Sequence, residues 1–260
     1  ESLFGAIQSG EEDIVFAGGD EMMQARSTGV DIVNWATMYQ TYPVTLIVKA
    51  DSGIESAADL EGKSVGLPGP YGENYFGLLA MIEDYGLSDV QIEYIGYTQT
   101  TALATDSVDS IIGFSNNDAV AMRNAGMDVV ELPLVQGDLP LIGVGLGSMA
   151  DNLDPETLAK VLEAIDRGAT AALEDTQATL DIVETYVPAL SEPEQREVSA
   201  QVLEATLELY MGGETFGYQD AERWDAMATF MADADLLEIP VPAADAYTTS
   251  VLDYRTGSAE

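Results

Sequence analysis

Short apolar runs bounded by glycine, proline and acidic residues alternate with helical periodicity through the first half of the chain. DIVFAGG, DEMMQARST and VDIVNWA read as strand, helix closed by Gly29, and strand, with a tight turn after the first. PVTLIVK is a further buried strand. SAADLEG is a short helix with Ser56 as N-cap, Asp59 in the capping-box position and Gly62 just past its end. SVGLP is a strand, and NYFGLLAMIEDYG a helix closed by Gly86. VQIEYI alternates with period two, TQTTALATD is helical and DSIIGFS is a strand. NDAVAMRNAG is a helix closed by Gly126, and DVVELP another strand. This alternation predicts an α/β fold with mainly parallel sheets and helices on both faces.

After LIGVGLGS the pattern becomes helical. DPETLAKVLEAIDRGATAALE has Asp154 as N-cap and Pro155 at the first helical position, with Leu158, Leu162, Ile165 and Leu173 along one side. TQATLDIVETYV, SEPEQREVSAQVLEATLELYM and DAERWDAMATFMADA continue the helical run. Trp224, Met227, Phe230 and Met231 share an apolar side and predict core. No internal repeat and no Gly/Pro/Ser-rich linker separates the two halves.

Charge and missing residue types narrow the function. Nine Lys and Arg against 46 Asp and Glu give a formal net charge of −37. That excludes nucleic acid, whose phosphates must be neutralised by basic residues, and disfavours an anionic membrane surface. No uninterrupted apolar stretch is long enough to cross a bilayer. The opening ESLFGAIQSGEE reads as the body of a domain rather than a signal peptide. Cysteine and histidine are both absent, which removes thiolate nucleophiles, the usual general base and the common transition-metal ligands. No acidic spacing matches an EF-hand loop. The expectation is a binding protein, not an enzyme, with no catalytic residue, no metal and no cofactor.

The candidate binding chemistry lies in loops after strands. VGLPGPYGENYFGLL reads as strand, hard turn and helix start, a place where relatives of such turns hold anions on free N–H groups. Here Glu73 follows Gly72 at that positive end and opposes an anionic ligand. Tyr71 and Tyr75 offer flat faces with polar tips, and Asn74 a hydrogen-bonding amide. The pattern suits a neutral or weakly basic heterocycle, although an acid in the first turn also serves simply to start a helix. Gly19 and Asp20 open the helix after the first strand, as ligand contacts or as a glycine turn with an N-cap. Asn116, Asn117 and Asp118 follow a strand and exceed what one N-cap needs. Trp35 and Tyr39 are available either for ring stacking or for packing.

The order AGGDE, YPVTLIVKADSGI, SAADLEGKSVGLPG, VDSIIGFSNND and Gly-Asp-Leu-Pro resembles type II extracytoplasmic substrate-binding proteins of ABC transporters. It is most similar to the branch that carries the thiamine-pyrimidine precursor, which usually has Asn-Asn-Glu where this chain has Asn116, Asn117 and Asp118. The C-terminal GYQDAERWDAMATFMADADLLEIPVPAADAYTTSVL resembles that branch too. The resemblance implies two lobes, residues 1–50 with 139–260 and residues 51–138, crossing near Lys49–Ser52 and near Gly137–Pro140. It implies a ligand in an interlobe cleft, hinge closure, a membrane permease as partner, and an extracytoplasmic location, in the periplasm or lipid-anchored, for a monomer without its signal or anchor. The family's first strand, helix and second strand are expected to be missing. Riboflavin carriers look similar around PGPYGENYFGL; taurine, nitrate and sulfonate carriers and a ligand-sensing receptor domain are further alternatives. A pyrimidine-synthase relative consumes its own histidine and pyridoxal phosphate, and this chain has no histidine.

Acidic residues spread along the whole sequence predict a self-repelling, salt-adapted surface. Screening shortens from ~10 Å at 0.1 M to ~3 Å at 1 M salt. The thermal midpoint is therefore expected to climb over that range of potassium chloride, and a midpoint that stays level would contradict salt adaptation.

Overall fold

The computed structural model of the chain describes residues 3–258. In chain order it forms α1 (Leu3–Ser9), β1 (Val15–Gly18), α2 (Gly19–Ser27), β2 (Ile32–Thr37), β3 (Val44–Lys49) and a 3₁₀ turn at Ala57–Leu60. Then come β4 (Ser64–Leu67), α3 (Gly72–Tyr85), β5 (Gln91–Tyr94), α4 (Gln99–Ala104), β6 (Ser110–Phe114), α5 (Asp118–Asn124), β7 (Val129–Leu132) and β8 (Val144–Met149). The helical portion follows as α6 (Pro155–Glu174), α7 (Thr176–Glu184), α8 (Pro193–Leu209), α9 (Ala221–Asp233), α10 (Ala243–Ala246) and α11 (Ser250–Thr256). Local chemistry sets these elements where the pattern puts them. Asp59 accepts the backbone N–H groups of Glu55 and Ser56 at 3.0 and 2.9 Å, closing the box that starts the 3₁₀ turn.

The chain divides into two compact units. Unit 1 holds the chain up to Tyr42, Pro140–Glu174 and the chain from Leu207 on; unit 2 holds Pro43–Leu139 and Asp175–Thr206. The division differs from the expected one in two respects. The first division falls after Tyr42 rather than at Lys49–Ser52, because β3 pairs with β6 and β7. Residues 175–206, expected with the first lobe, go with unit 2, where Gln201 and Thr206 receive hydrogen bonds from Asn124 and Asn116, each at 2.8 Å.

Unit 1 carries a three-stranded sheet in the order β1-β8-β2. β8 runs antiparallel to both neighbours, so β1 and β2 share one direction, as a strand–helix–strand unit requires. Ile7, Val15, Ala17, Met22, Ala25 and Ile32 pack α1 and α2 on one face. Trp35, Leu146, Leu158, Leu162, Val251 and Leu252 pack α6 and α11 on the other. Fifteen residues of helix turn Leu173 about 60° away from Leu158. Leu173 is consequently exposed, against expectation, and Ala172 takes the inward position.

Unit 2 carries a five-stranded sheet in the order β5-β4-β6-β3-β7. β4 runs parallel to β5 and β6, while β3 is antiparallel to β6 and β7. β4, β5, β6 and β7 thus share a direction and β3 alone opposes them. The expectation of mainly parallel sheets is corrected to mixed ones, since each sheet takes in one reversed strand. In both cases it is the strand that follows a passage between units, β3 after Tyr42 and β8 after Leu139. The period-two run VQIEYI forms β5, whose four residues are all exposed at the sheet's edge.

A buried polar hub ties the C-terminal segment of unit 1 to β2. Gln219 Oε1 accepts Thr37 Oγ1 at 2.7 Å and Trp224 Nε1 at 2.9 Å, and its Nε2 donates to Asn34 Oδ1 at 2.7 Å. Replacing Gln219 by Leu orphans three buried groups. Urea unfolding is expected to show a loss of about 2 kcal/mol or more, and a loss below about 0.5 kcal/mol would contradict the hub.

Candidate functional site

In unit 2 the turns after β4 and β6 lie side by side, because these neighbouring strands run parallel. Open α/β sheets bind ligands at such carboxyl ends. Tyr71 caps α3 in an extended conformation and is 52% exposed. Its ring lies over Gly69, where a Cβ would stand 2.3 Å from Tyr71 Cε1; only glycine permits that seat. Gly72 begins α3. Glu73 is 6% exposed in the first turn, where the helix N-terminus favours its charge. Asn74, expected to face a ligand, is buried and donates Nδ2 to the Ile112 carbonyl at 2.9 Å, tying α3 to β6. Tyr75 is half-buried and Phe76 is core.

The Asn116–Asp118 stretch divides its roles. Asn116 is 7% exposed and donates Nδ2 to Thr206 Oγ1 at 2.8 Å, while its buried Oδ1 accepts no hydrogen bond among the described residues. Asn117 is exposed at the start of α5. Asp118 turns back to accept the Phe114 amide at 2.8 Å, and burial raises its carboxyl above the ordinary value. The strand-end trio therefore supplies one exposed amide, one buried amide and one internal cap.

In unit 1 the expected residues are more deeply committed. Asp20 is fully buried; its Oδ2 accepts the Tyr42 hydroxyl at 2.6 Å and its Oδ1 the Glu21 amide at 2.7 Å. Burial, with the neighbouring Glu21 charge, pushes Asp20 up to about 8, opposed by these hydrogen bonds. Glu21 is raised by burial too, while its Oε2 accepts the Gly18 amide at 3.2 Å. Gly19 leaves no space: a Cβ would sit 2.5 Å from Ile142 Cγ2. Its amide points to the Ile142 and Gly143 carbonyls, each at 3.1 Å. Trp35 is wholly core, its indole N–H on Ser148 Oγ at 3.1 Å, so it has no face for a ligand. Tyr39 is 8% exposed in an aromatic row, 6.0 Å from Phe16 and 5.6 Å from Tyr210 between ring centres.

Sequence reasoning missed Tyr42, Thr206 and Gln219. Tyr42 had a signal, since a tyrosine before the proline that opens a strand is fixed in extended backbone. Thr206 and Gln219 had none. Their partners are 90 and 185 residues away.

Comparison with known proteins gives relatives of the chain as a whole. A family described as "NMT1/THI5 like" matches residues 3–179. A riboflavin-binding protein of Chloroflexus aurantiacus is 30% identical over 237 residues, 88% of this chain and 67% of that protein. A formylaminopyrimidine-binding protein of Halalkalibacterium halodurans is 25% identical over 250 residues, 93% of this chain and 75% of that one. Among solved structures, the periplasmic aliphatic sulphonate-binding protein of Escherichia coli superposes with a TM-score of 0.74 at 17% identity, covering 94% of this chain and 77% of the other. That likeness establishes the type II binding-protein fold.

Asp20 makes a stability prediction with a defined sign. Its folded value lies above its ordinary 3.8, so its contribution is complete below that value and is lost as pH rises through about 8. Glu21 and Asp118 shift in the same direction. Chemical unfolding of the wild type should therefore show stability falling from about pH 5 to about pH 8, with a shallower fall in Asp20→Asn. Equal slopes in the two proteins would contradict a buried, neutral Asp20.

Proposed function

Because the chain belongs to the NMT1/THI5-like family, we propose that it is the solute-binding component of an ABC importer. Its ligand is a small aromatic nitrogen heterocycle, and it works on the extracytoplasmic side as a monomer that delivers to a membrane permease. The observation that carries the ligand class is the Tyr71 ring, half-exposed over Gly69 on a turn without basic residues. No Lys or Arg occurs between Lys63 and Arg123, a span that contains both strand-end turns of unit 2. An oxyanion there would be opposed by an acid, Glu73, in the first turn of α3 and would find no Lys or Arg in that span. A flat ring stacks on tyrosine, and its ring N–H or amino groups suit the acceptors nearby. Asn117 offers an exposed amide, and the buried Asn116 Oδ1 an acceptor short of a donor. Binding rather than catalysis follows from a chain with neither histidine nor cysteine.

Both relatives named above bind such rings, by their names a flavin and a pyrimidine. The higher identity to the riboflavin binder puts riboflavin first and the pyrimidine second. Thermal unfolding in high salt with riboflavin, formylaminopyrimidine, taurine and nitrate tests the reading. A ligand at about a hundred times its dissociation constant adds roughly 2.7 kcal/mol of stability. Stabilisation is expected from a heterocycle alone, and Tyr71→Ala is expected to weaken its binding by about fivefold or more. Stabilisation by taurine or nitrate alone would overturn the ligand class.

A further inference from the structure

The first turn of α2 holds more than its own helix. Gly19 donates its amide to Ile142 and Gly143, and the Asp20 amide lies 3.4 Å from the Ile142 carbonyl. Asp20 also receives the Tyr42 hydroxyl. Tyr42 ends the segment by which the chain first leaves unit 1, and Ile142 lies two residues after Pro140, where it first returns; a second excursion covers Asp175–Thr206. Two adjacent residues thus grip two of the four connecting segments, the first departure and the first return, at their unit 1 ends.

Among the described residues no cation pairs with the carboxyl at the centre of this grip. Glu21 is the acid in the same turn, committed to the Gly18 amide. β1, β2 and β8 contain no ionisable residue. Trp224 is the α9 side chain that comes nearest Gly19, and Met227 Sδ accepts the Ile142 amide at 3.2 Å. The α9 cation, Arg223, is bound to the Gln40 carbonyl at 2.8 Å. Asp245 of α10 is exposed. Arg26, in the last turn of α2, pairs with Asp31.

We propose that the Asp20 carboxyl is a proton-controlled clasp: while it keeps its proton it stays buried against Tyr42 and its turn holds the Tyr42 and Ile142 segments, and when it gives the proton to solvent the turn opens to water and releases them. An anion in this dry turn, next to Glu21, is unfavourable unless water enters. The high value set by burial places the change just above neutral pH.

Amide hydrogen exchange of the intact, ligand-free chain in high salt tests the clasp independently of any ligand. Rates are taken from about pH 6 to about pH 9.5 and divided by the intrinsic rate at each pH. Protection of peptides covering Gly19–Asp20 and Gln40–Tyr42 is expected to fall together as pH passes about 8, with β6 unchanged as the internal control. Asp20→Asn, which cannot ionise, should hold protection level across the range. Tyr42→Phe removes a donor that favours the anion, so the loss should move to higher pH. Wild-type protection that stays constant, or an Asp20→Asn protein that loses it identically, would overturn the clasp. So would a fall in Tyr42→Phe at unchanged or lower pH.

Discussion

The close approach of Gly19 to Ile142 is the constraint on which unit 1 depends. It lets α2 begin directly on the last residue of β1 and seats the helix start against the segment that feeds β8. β8 can then run down between β1 and β2, and a sheet that would otherwise be two separated strands becomes three. The same contact carries Asp20 inward, where it meets Tyr42. Packing in a few ångströms therefore bears on strand order within unit 1 and on the burial of one carboxyl.

The acid excess has opposite consequences inside and outside. Outside, exposed carboxylates repel one another and are relieved by screening. Inside, with so few cations to pair them, buried acids are held by hydrogen bonds and helix starts. Asp59 shows the exposed case: backbone N–H groups hold its carboxyl below the usual range. Asp20 shows the buried one, where desolvation outweighs its hydrogen bonds. Glu73 is buried in the first turn of α3, where the helix start favours an acid. One composition thus both solvates the surface and leaves buried acids to backbone and hydroxyl donors.

Much of this was legible in the sequence, and the limits have physical causes. Periodicity and caps found the elements because both are local: Ser56 with Asp59, Gly86 after α3. Strand direction was not local. Nothing within PVTLIVK or VGLGSM says that it will insert between two strands running the other way. The strand-end residues were found as a set but not sorted, because an acid after two glycines reads alike whether it faces solvent or core. Burial sorted them. Tyr71 and Asn117 stay exposed, Trp35 and Asp20 do not, and Asn74 spends its amide on Ile112. The family resemblance was legible in AGGDE, YPVTLIVK and SNND, and of those motifs the first two contribute the Asp20–Tyr42 bond, an internal contact.

The central claim is that this member of the family holds a flat heterocycle rather than an oxyanion. The most direct measurement is a crystal structure grown with riboflavin and taurine present together. The account predicts a planar ring against Tyr71 and no sulfonate at the Gly72 amide. A sulfonate seated on that amide, with Tyr71 bare, would contradict it.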